Sequence, residues 1–201
     1  LSIHNLGLKK VLVTDSDDSE LRKLYDVVIP ADNSVGIGFL QKLYIRDYSP
    51  FDETLFIDVD CLCVRNIDFL WAPFSTCDVS VIGRKVSEGE QFGLSLPEMQ
   101  RQLGLQYVIS FNGGIYYFKK NEKAKVIFDA AKDIVKNYEK YNLVKVRGEL
   151  ADEPIMSLAM GLYNQEPVDD HGKGMYTPVG QSGQFKMDVL QGKCEFVKSG
   201  R

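Results

Sequence analysis

Along the chain, short apolar runs alternate with stretches whose apolar residues recur at helical spacing. Residues 9–15, KKVLVTD, and 25–30, YDVVIP, are β-branched runs that read as strands, with the charged segment SELRKL between them as a helix. From Ile37 to Tyr48, Phe39, Leu40, Leu43 and Tyr44 recur at helical spacing, and Lys42 and Arg46, four apart, share the neighbouring face. Ser49-Pro50 stops that helix. TLFIDVD is a strand apolar on both faces, as expected in the middle of a sheet covered by helices. Residues 79–83, VSVIG, and 114–120, GIYYFKK, add two more strands, and 84–110 reads as loop with one helix after Pro97.

Asn121 is placed to cap a helix whose apolar positions Ala124, Ile127, Phe128, Ala131, Ile134, Val135 and Tyr138 form one stripe. ADEPIMSLAMG reads as a short helix with Asp152 at its N-cap, Pro154 in the first turn and Gly161 past its end. Beyond Leu162 the composition is turn-forming, and KCEFVKSGR closes with one strand. Strands alternating with helices predict an open α/β sheet, in which ligands sit beyond the carboxyl ends of the strands. Asp58 and Asp60 lie at such an end.

At 201 residues, with 44% hydrophobic and 11% aromatic residues, the chain can bury a full core, and 1–201 reads as one domain. Its net charge is −4 and its Lys and Arg are scattered, so a nucleic-acid partner has no electrostatic footprint. Cys61, Cys63, Cys77 and Cys194 lack C-x-x-C spacing and read as small apolar fillers in a reducing compartment. Two histidines, His4 and His171, argue against a histidine-rich zinc site. No apolar run approaches the roughly 18 residues of a membrane span, and no signal-peptide pattern opens the chain. The expectation is therefore a cytoplasmic protein.

The chemistry centres on ETLFIDVDCLCV, residues 53–64, where two aspartates stand one residue apart at the end of an apolar run. Asp is common, 17 of 201 residues, so an Asp-x-Asp arises about once by chance, and Asp15-Ser16-Asp17 is a second. Context separates the two: Asp58 and Asp60 end a buried strand and follow a segment carrying Lys42 and Arg46. Such oxygen ligands suit Mg²⁺ or Mn²⁺, which complete their shells with substrate phosphates. Three readings compete: capping or turn carboxylates paired with surface cations, an aspartyl-nucleophile phosphatase, and a nucleotide-sugar transferase. The phosphatase pattern wants Thr or Val at position 62, which is Leu, and a later strand ending in paired acids, whereas Asp169-Asp170 follows no strand.

Three segments carry the third reading. FLQKLYIRDYSPFDETLFIDVDCLCVRNIDFLW, residues 39–71, resembles the core signature of family-8 glycosyltransferases, the group that includes glycogenin and bacterial lipopolysaccharide galactosyl- and glucosyltransferases. FNGGIYYFKKNEKAKVIFDAA, residues 111–131, is similar to that family's Phe-Asn-Ser/Ala-Gly strand and following helix, and ADEPIMSLAM resembles its Asp-Gln helix start. The resemblance runs over roughly residues 8–162. It implies a three-layer α/β/α Rossmann-like nucleotide-diphospho-sugar transferase (GT-A) fold with a central, mostly parallel sheet. It also implies a metal-dependent, retaining transfer of a hexose from a UDP-sugar to an acceptor hydroxyl.

By that resemblance, Asp58 and Asp60 bind Mn²⁺ or Mg²⁺, Asp58 also meets the ribose side, and Lys42 and Arg46 face the phosphates or sugar. Asn112, Gly113 and Gly114 line the sugar pocket. Asp152 hydrogen-bonds donor-sugar hydroxyls, and Glu153 stands where relatives often carry a Gln beside the anomeric carbon. Each has a plainer counterpart: a solvated helix face for Lys42 and Arg46, a tight turn for Asn112-Gly113-Gly114, an N-cap for Asp152, and a loop histidine for His171. Relatives also open with a strand that cradles the uridine and supply a late histidine ligand. This chain carries neither pattern, so the expected domain lacks its first strand and its C-terminal segment. A non-catalytic UDP-sugar or metal-binding module is the alternative.

Overall fold

Both β-branched runs at the start form strands. β1 (Val11–Thr14) and β2 (Val27–Pro30) pair in parallel, Val11 opposite Val27, with the one-turn helix α1 (Ser19–Arg22) between them in the chain. Asp18 caps α1, its carboxylate accepting from the amides of Glu20 and Leu21. The computed structural model describes residues 7–36, 38–146 and 148–198, so His4, Ile37 and the end of KCEFVKSGR lie outside the described residues.

Of the expected apolar stripe Phe39, Leu40, Leu43 and Tyr44, only Leu43 is buried and Phe39 is exposed, and the segment is not one α-helix. Gly38–Tyr44 is wound as 3₁₀ turns, and only α2 (Ile45–Tyr48) is α-helical. Gly36 and Gly38 take positive φ of 128° and 59°, which an α-helix does not allow, and Gln41 Nε2 donates to the carbonyls of Asp32 and Gly36. Ser49 ends the segment in extended conformation, as the following proline requires.

β3 (Glu53–Ile57) leads through α3 (Trp71–Phe74) to β4 (Val79–Val86). Within 84–110 the expected helix is α4 (Leu96–Leu103), which starts just before Pro97, and a short ribbon of β5 (Glu90–Gln91) and β6 (Leu94–Ser95) occupies part of what reads as loop. β7 (Val108–Lys119) begins six residues before the strand that the sequence predicts at Gly114, and runs for 12 residues. α5 (Glu122–Lys136), α6 (Tyr138–Tyr141) and α7 (Asp152–Leu162) follow, then a hairpin of β8 (Gln181–Asp188) and β9 (Lys193–Lys198).

The sheet topology overturns the expected fold class. The structure is not a three-layer Rossmann-like (GT-A) domain around a mostly parallel sheet. It is mixed α/β with mostly antiparallel sheets: the central sheet has order β3-β7-β4, and β7 runs antiparallel to both neighbours. Among the described residues the only parallel sheet is the two-stranded pair β1-β2. An apolar run reports burial on two faces and nothing about direction, so the pattern that predicts a parallel sheet fits this antiparallel one equally.

β3 itself is only half-buried, with Glu53 exposed and Thr54 to Ile57 partly exposed; the strand packed on both faces is β7. Along β7, Tyr116 and Phe118 pack into the larger core with α5 and α7, while Ile115 and Tyr117 join Leu70 and Phe74 on the other side. α5 is as its stripe predicts up to Ile134: Asn121 Oδ1 accepts the Ala124 amide at 2.9 Å, and Ala124, Ile127, Phe128, Ala131 and Ile134 are buried. α7 starts with Ala151 in the cap position, so Asp152 is its first helical residue and not its N-cap. Gly161 lies inside α7, not beyond it; a Cβ there would come within 2.6 Å of the Tyr107 carbonyl. Among the described residues no helix is long and apolar enough to cross a membrane.

Candidate functional site

The chain leaves β3 at Ile57 and turns at once. The Cys61 amide donates to the Asp58 carbonyl at 3.0 Å, so Asp58, Val59, Asp60 and Cys61 form a tight turn at the strand's carboxyl end. The Asp58 amide still donates to the Gly114 carbonyl at 2.9 Å, which ties the aspartate pair to β7. On β7's other edge the register breaks: the step from Val81 to Gly83 on β4 faces the step from Tyr116 to Phe111 on β7. Residues 112–115 are therefore a bulge in a continuing strand, not a chain-reversing turn. Asn112 Oδ1 accepts the Gly114 amide at 3.0 Å and shapes that bulge.

Side chains distant in sequence meet at this bulge. Lys42, from the 3₁₀ turns, places Nζ 2.8 Å from Asp58 Oδ2 and donates to the Gly113 carbonyl at 2.9 Å. The same ammonium is 3.6 Å from Asp152 Oδ2 and 5.9 Å from the ring centroids of both Phe39 and Phe56. Asp152 Oδ2 accepts the Tyr116 hydroxyl at 2.6 Å, and Glu153 Oε1 accepts the Gly113 amide at 2.8 Å. The first turn of α7 thus grips the glycine that Lys42 holds from its carbonyl side. A Cβ at 113 would sit 2.5 Å from the held Asp152 Oδ2, which favours glycine there, and one at 114 would displace the Met175 methyl that lies over it.

Burial sets the electrostatics. It pushes the Asp152 carboxyl up from its ordinary value, against the opposing pull of Lys42 and the Tyr116 hydroxyl. Burial likewise raises Glu153, against the Gly113 amide. Tyr116 is held well above the usual phenol range by burial and then by Asp152. The Cys61 thiol is raised by burial, with Asp58 and Asp60 adding to it. The Lys42 ammonium pairs with Asp58 and Asp152 and acts on Glu153, while Asp60 lies on the same turn as Asp58, so carboxylates outnumber cations here.

Lys42, Asp58, Asn112, Gly113, Gly114, Asp152 and Glu153 are therefore brought together. Asp60 is on the same turn, exposed, and in no ion pair among the described residues. Arg46 is not brought there. It is buried, with Nη2 donating to the Asn121 carbonyl at 2.8 Å and Nη1 3.7 Å from Asp47, so it braces the junction of β7 and α5. His171 is an exposed loop residue, its Nδ1 3.3 Å from Asp169. Among the described residues no group of three or more His, Cys, Asp or Glu converges as a metal cage.

Three contributors are absent from the sequence expectation. Tyr116 reads as one more core aromatic in IYYF. Met175 lies over Gly114, and Asp170 holds it there by accepting the amides of Gly172, Gly174 and Met175 at 2.8, 2.6 and 3.0 Å. An Asp followed by Gly at the second and fourth positions is the turn signal that marks Asp170. Compared with known proteins, the chain matches no protein-family model and no curated protein significantly.

Proposed function

We propose that the chain is a metal-dependent glycosyltransferase that moves a hexose from a UDP-sugar to an acceptor hydroxyl with retention of configuration. The observation that carries this reading is the Lys42 ammonium. It joins Asp58, the Gly113 carbonyl and Asp152, one residue from each of the three segments that resemble the family-8 enzymes.

The residues present fit a hard divalent ion, Mn²⁺ or Mg²⁺. Asp58 and Asp60 supply carboxylates from one turn, Asp60 is unpaired among the described residues, and the surroundings are negative beyond what Lys42 balances. When bound, such an ion stabilises the departing diphosphate as a Lewis acid.

The chain's own groups do the rest. Lys42 keeps Asp58 and Asp152 compensated and presents positive charge beside the phosphates. Asn112 uses Oδ1 within the bulge, which leaves its amide nitrogen to donate to a sugar hydroxyl. Asp152 accepts a sugar hydroxyl, and Glu153, anchored on the Gly113 amide, stands beside the anomeric carbon. The acceptor oxygen bonds that carbon on the face from which UDP departs, and its proton passes to the leaving diphosphate oxygen. A cytoplasmic setting fits Cys61, Cys77 and Cys194, which are free thiols.

Hydrolysis of UDP-glucose and UDP-galactose by the purified chain with Mn²⁺ tests the reaction. Release of UDP and free sugar, lost in Asp60→Asn, is the expected result. UDP-sugars that bind but stay intact would make the chain a non-catalytic binding module. Cleavage of p-nitrophenyl phosphate abolished by Asp58→Asn would make it a phosphatase.

A further inference from the structure

Tyr116 lies on the face of β7 turned to the larger core and is 1% exposed. Its ring packs against Phe111, with centroids 5.6 Å apart, and against Phe56 at 6.1 Å. A phenylalanine would fill that space equally well. The hydroxyl adds a polar group that needs a partner where water is excluded. That partner is Asp152 Oδ2, the oxygen that Lys42 also approaches.

A third constraint acts on the same atom. The backbone of Gly113 passes so close that a Cβ would reach 2.5 Å from Oδ2. One oxygen of a buried carboxylate is thus held by one hydrogen bond, faced by the Lys42 ammonium at 3.6 Å and walled by a glycine, and both contacts are to Oδ2. Resting on the reading that Asp152 receives a donor-sugar hydroxyl, we propose that Tyr116 is a positioning residue whose hydroxyl locks the Asp152 carboxylate so that Oδ1 is left for the sugar.

The hydroxyl acts through Asp152 and touches no substrate. Without it, Asp152 keeps the longer 3.6 Å pairing with Lys42 and the contact with its own amide, and is freer to rotate about its terminal torsion. The acceptor for the sugar hydroxyl then has to be reoriented at each turnover, which is the cost that preorganisation removes.

Tyr116→Phe removes the hydroxyl and keeps the ring. UDP-sugar hydrolysis with Mn²⁺ is measured for wild type, Tyr116→Phe, Asp152→Asn and the double variant, with affinities for UDP and for the intact UDP-sugar taken in parallel. Tyr116→Phe is expected to lower kcat about tenfold, the effect of losing one hydrogen bond to a charged group. It leaves affinity for UDP, which lacks the transferable hexose, as in wild type, and adds nothing to Asp152→Asn, because both act through one group. A wild-type kcat in Tyr116→Phe overturns the inference, as does a loss of UDP affinity in step with kcat, or a full additive loss on top of Asp152→Asn. If wild type leaves the UDP-sugars intact, the transferase reading fails, and the affinities still decide. Tyr116→Phe then weakens UDP-sugar but not UDP if the lock exists, and alters neither if it does not.

Discussion

Lys42→Met removes the ammonium and keeps an apolar stem against Phe39 and Phe56. The wild-type side chain is 14% exposed, and its charged partners Asp58 and Asp152 are 26% and 3% exposed. Removing one partner of a buried ion pair costs about 3–5 kcal/mol, because the other charge stays buried. The part-exposure of Asp58 lowers the effect to about 3 kcal/mol. For a domain of this size that is a fall in Tm of roughly 6–12 °C at neutral pH.

The pH dependence of that deficit is equally specific. Asp152 has a folded pKa raised by burial, and Lys42 is the largest influence holding it down. A carboxyl raised on folding favours the folded state fully below its unfolded value, and that contribution is lost as pH rises through the folded value. Without Lys42 the folded value climbs further, so the variant is hurt most at neutral pH and recovers towards about pH 4 as Asp152 takes up a proton. Thermal unfolding of both proteins across pH 4–8, followed by far-ultraviolet circular dichroism, measures this. A Lys42→Met variant that melts with wild type at neutral pH, or whose deficit widens on acidification, refutes the compensation argument.

Gly113→Ala drives a methyl into Asp152 Oδ2 and is expected to cost about 1–3 kcal/mol and to weaken UDP-sugar binding more than UDP binding; a variant as stable as wild type would show that the bulge relaxes freely. Ser157→Ala deletes a buried hydroxyl that accepts the Ile109 amide at 3.1 Å and donates to its carbonyl at 2.7 Å. Its expected cost is about 1–3 kcal/mol in chemical denaturation with UDP affinity unchanged, and a neutral result would mean that water replaces the hydroxyl.

Much of the candidate site is legible because it lies where short polar motifs end, interrupt or open apolar elements. Asp58 and Asp60 follow an apolar run, Asn112-Gly113-Gly114 interrupts another, and Asp152 and Glu153 open a helix that is buried almost throughout. Arg46 was misread for a geometric reason. Four-residue spacing shares a face at 3.6 residues per turn, but Lys42 lies in 3₁₀ turns of three residues, which rotate the two side chains apart. Strand direction was illegible because burial on both faces is blind to it. β8 was missed because GQSGQFKMD is exposed along nearly its whole length and carries no apolar alternation. Tyr116 differs from a core phenylalanine by one atom, whose meaning depends on a carboxylate 36 residues away in the chain.

Whether Asp58 and Asp60 hold a divalent ion against a nucleoside diphosphate decides the function. Calorimetric titration of UDP into the chain with Mn²⁺, repeated with a chelator and with Asp60→Asn, measures it. Asp60 is exposed and unpaired among the described residues, so the variant should melt as wild type does while losing the ion-dependent binding. Binding that requires both Mn²⁺ and Asp60 is the expected result. UDP binding indifferent to chelator and to Asp60→Asn, or no UDP binding by the wild-type chain, would contradict the metal–diphosphate site.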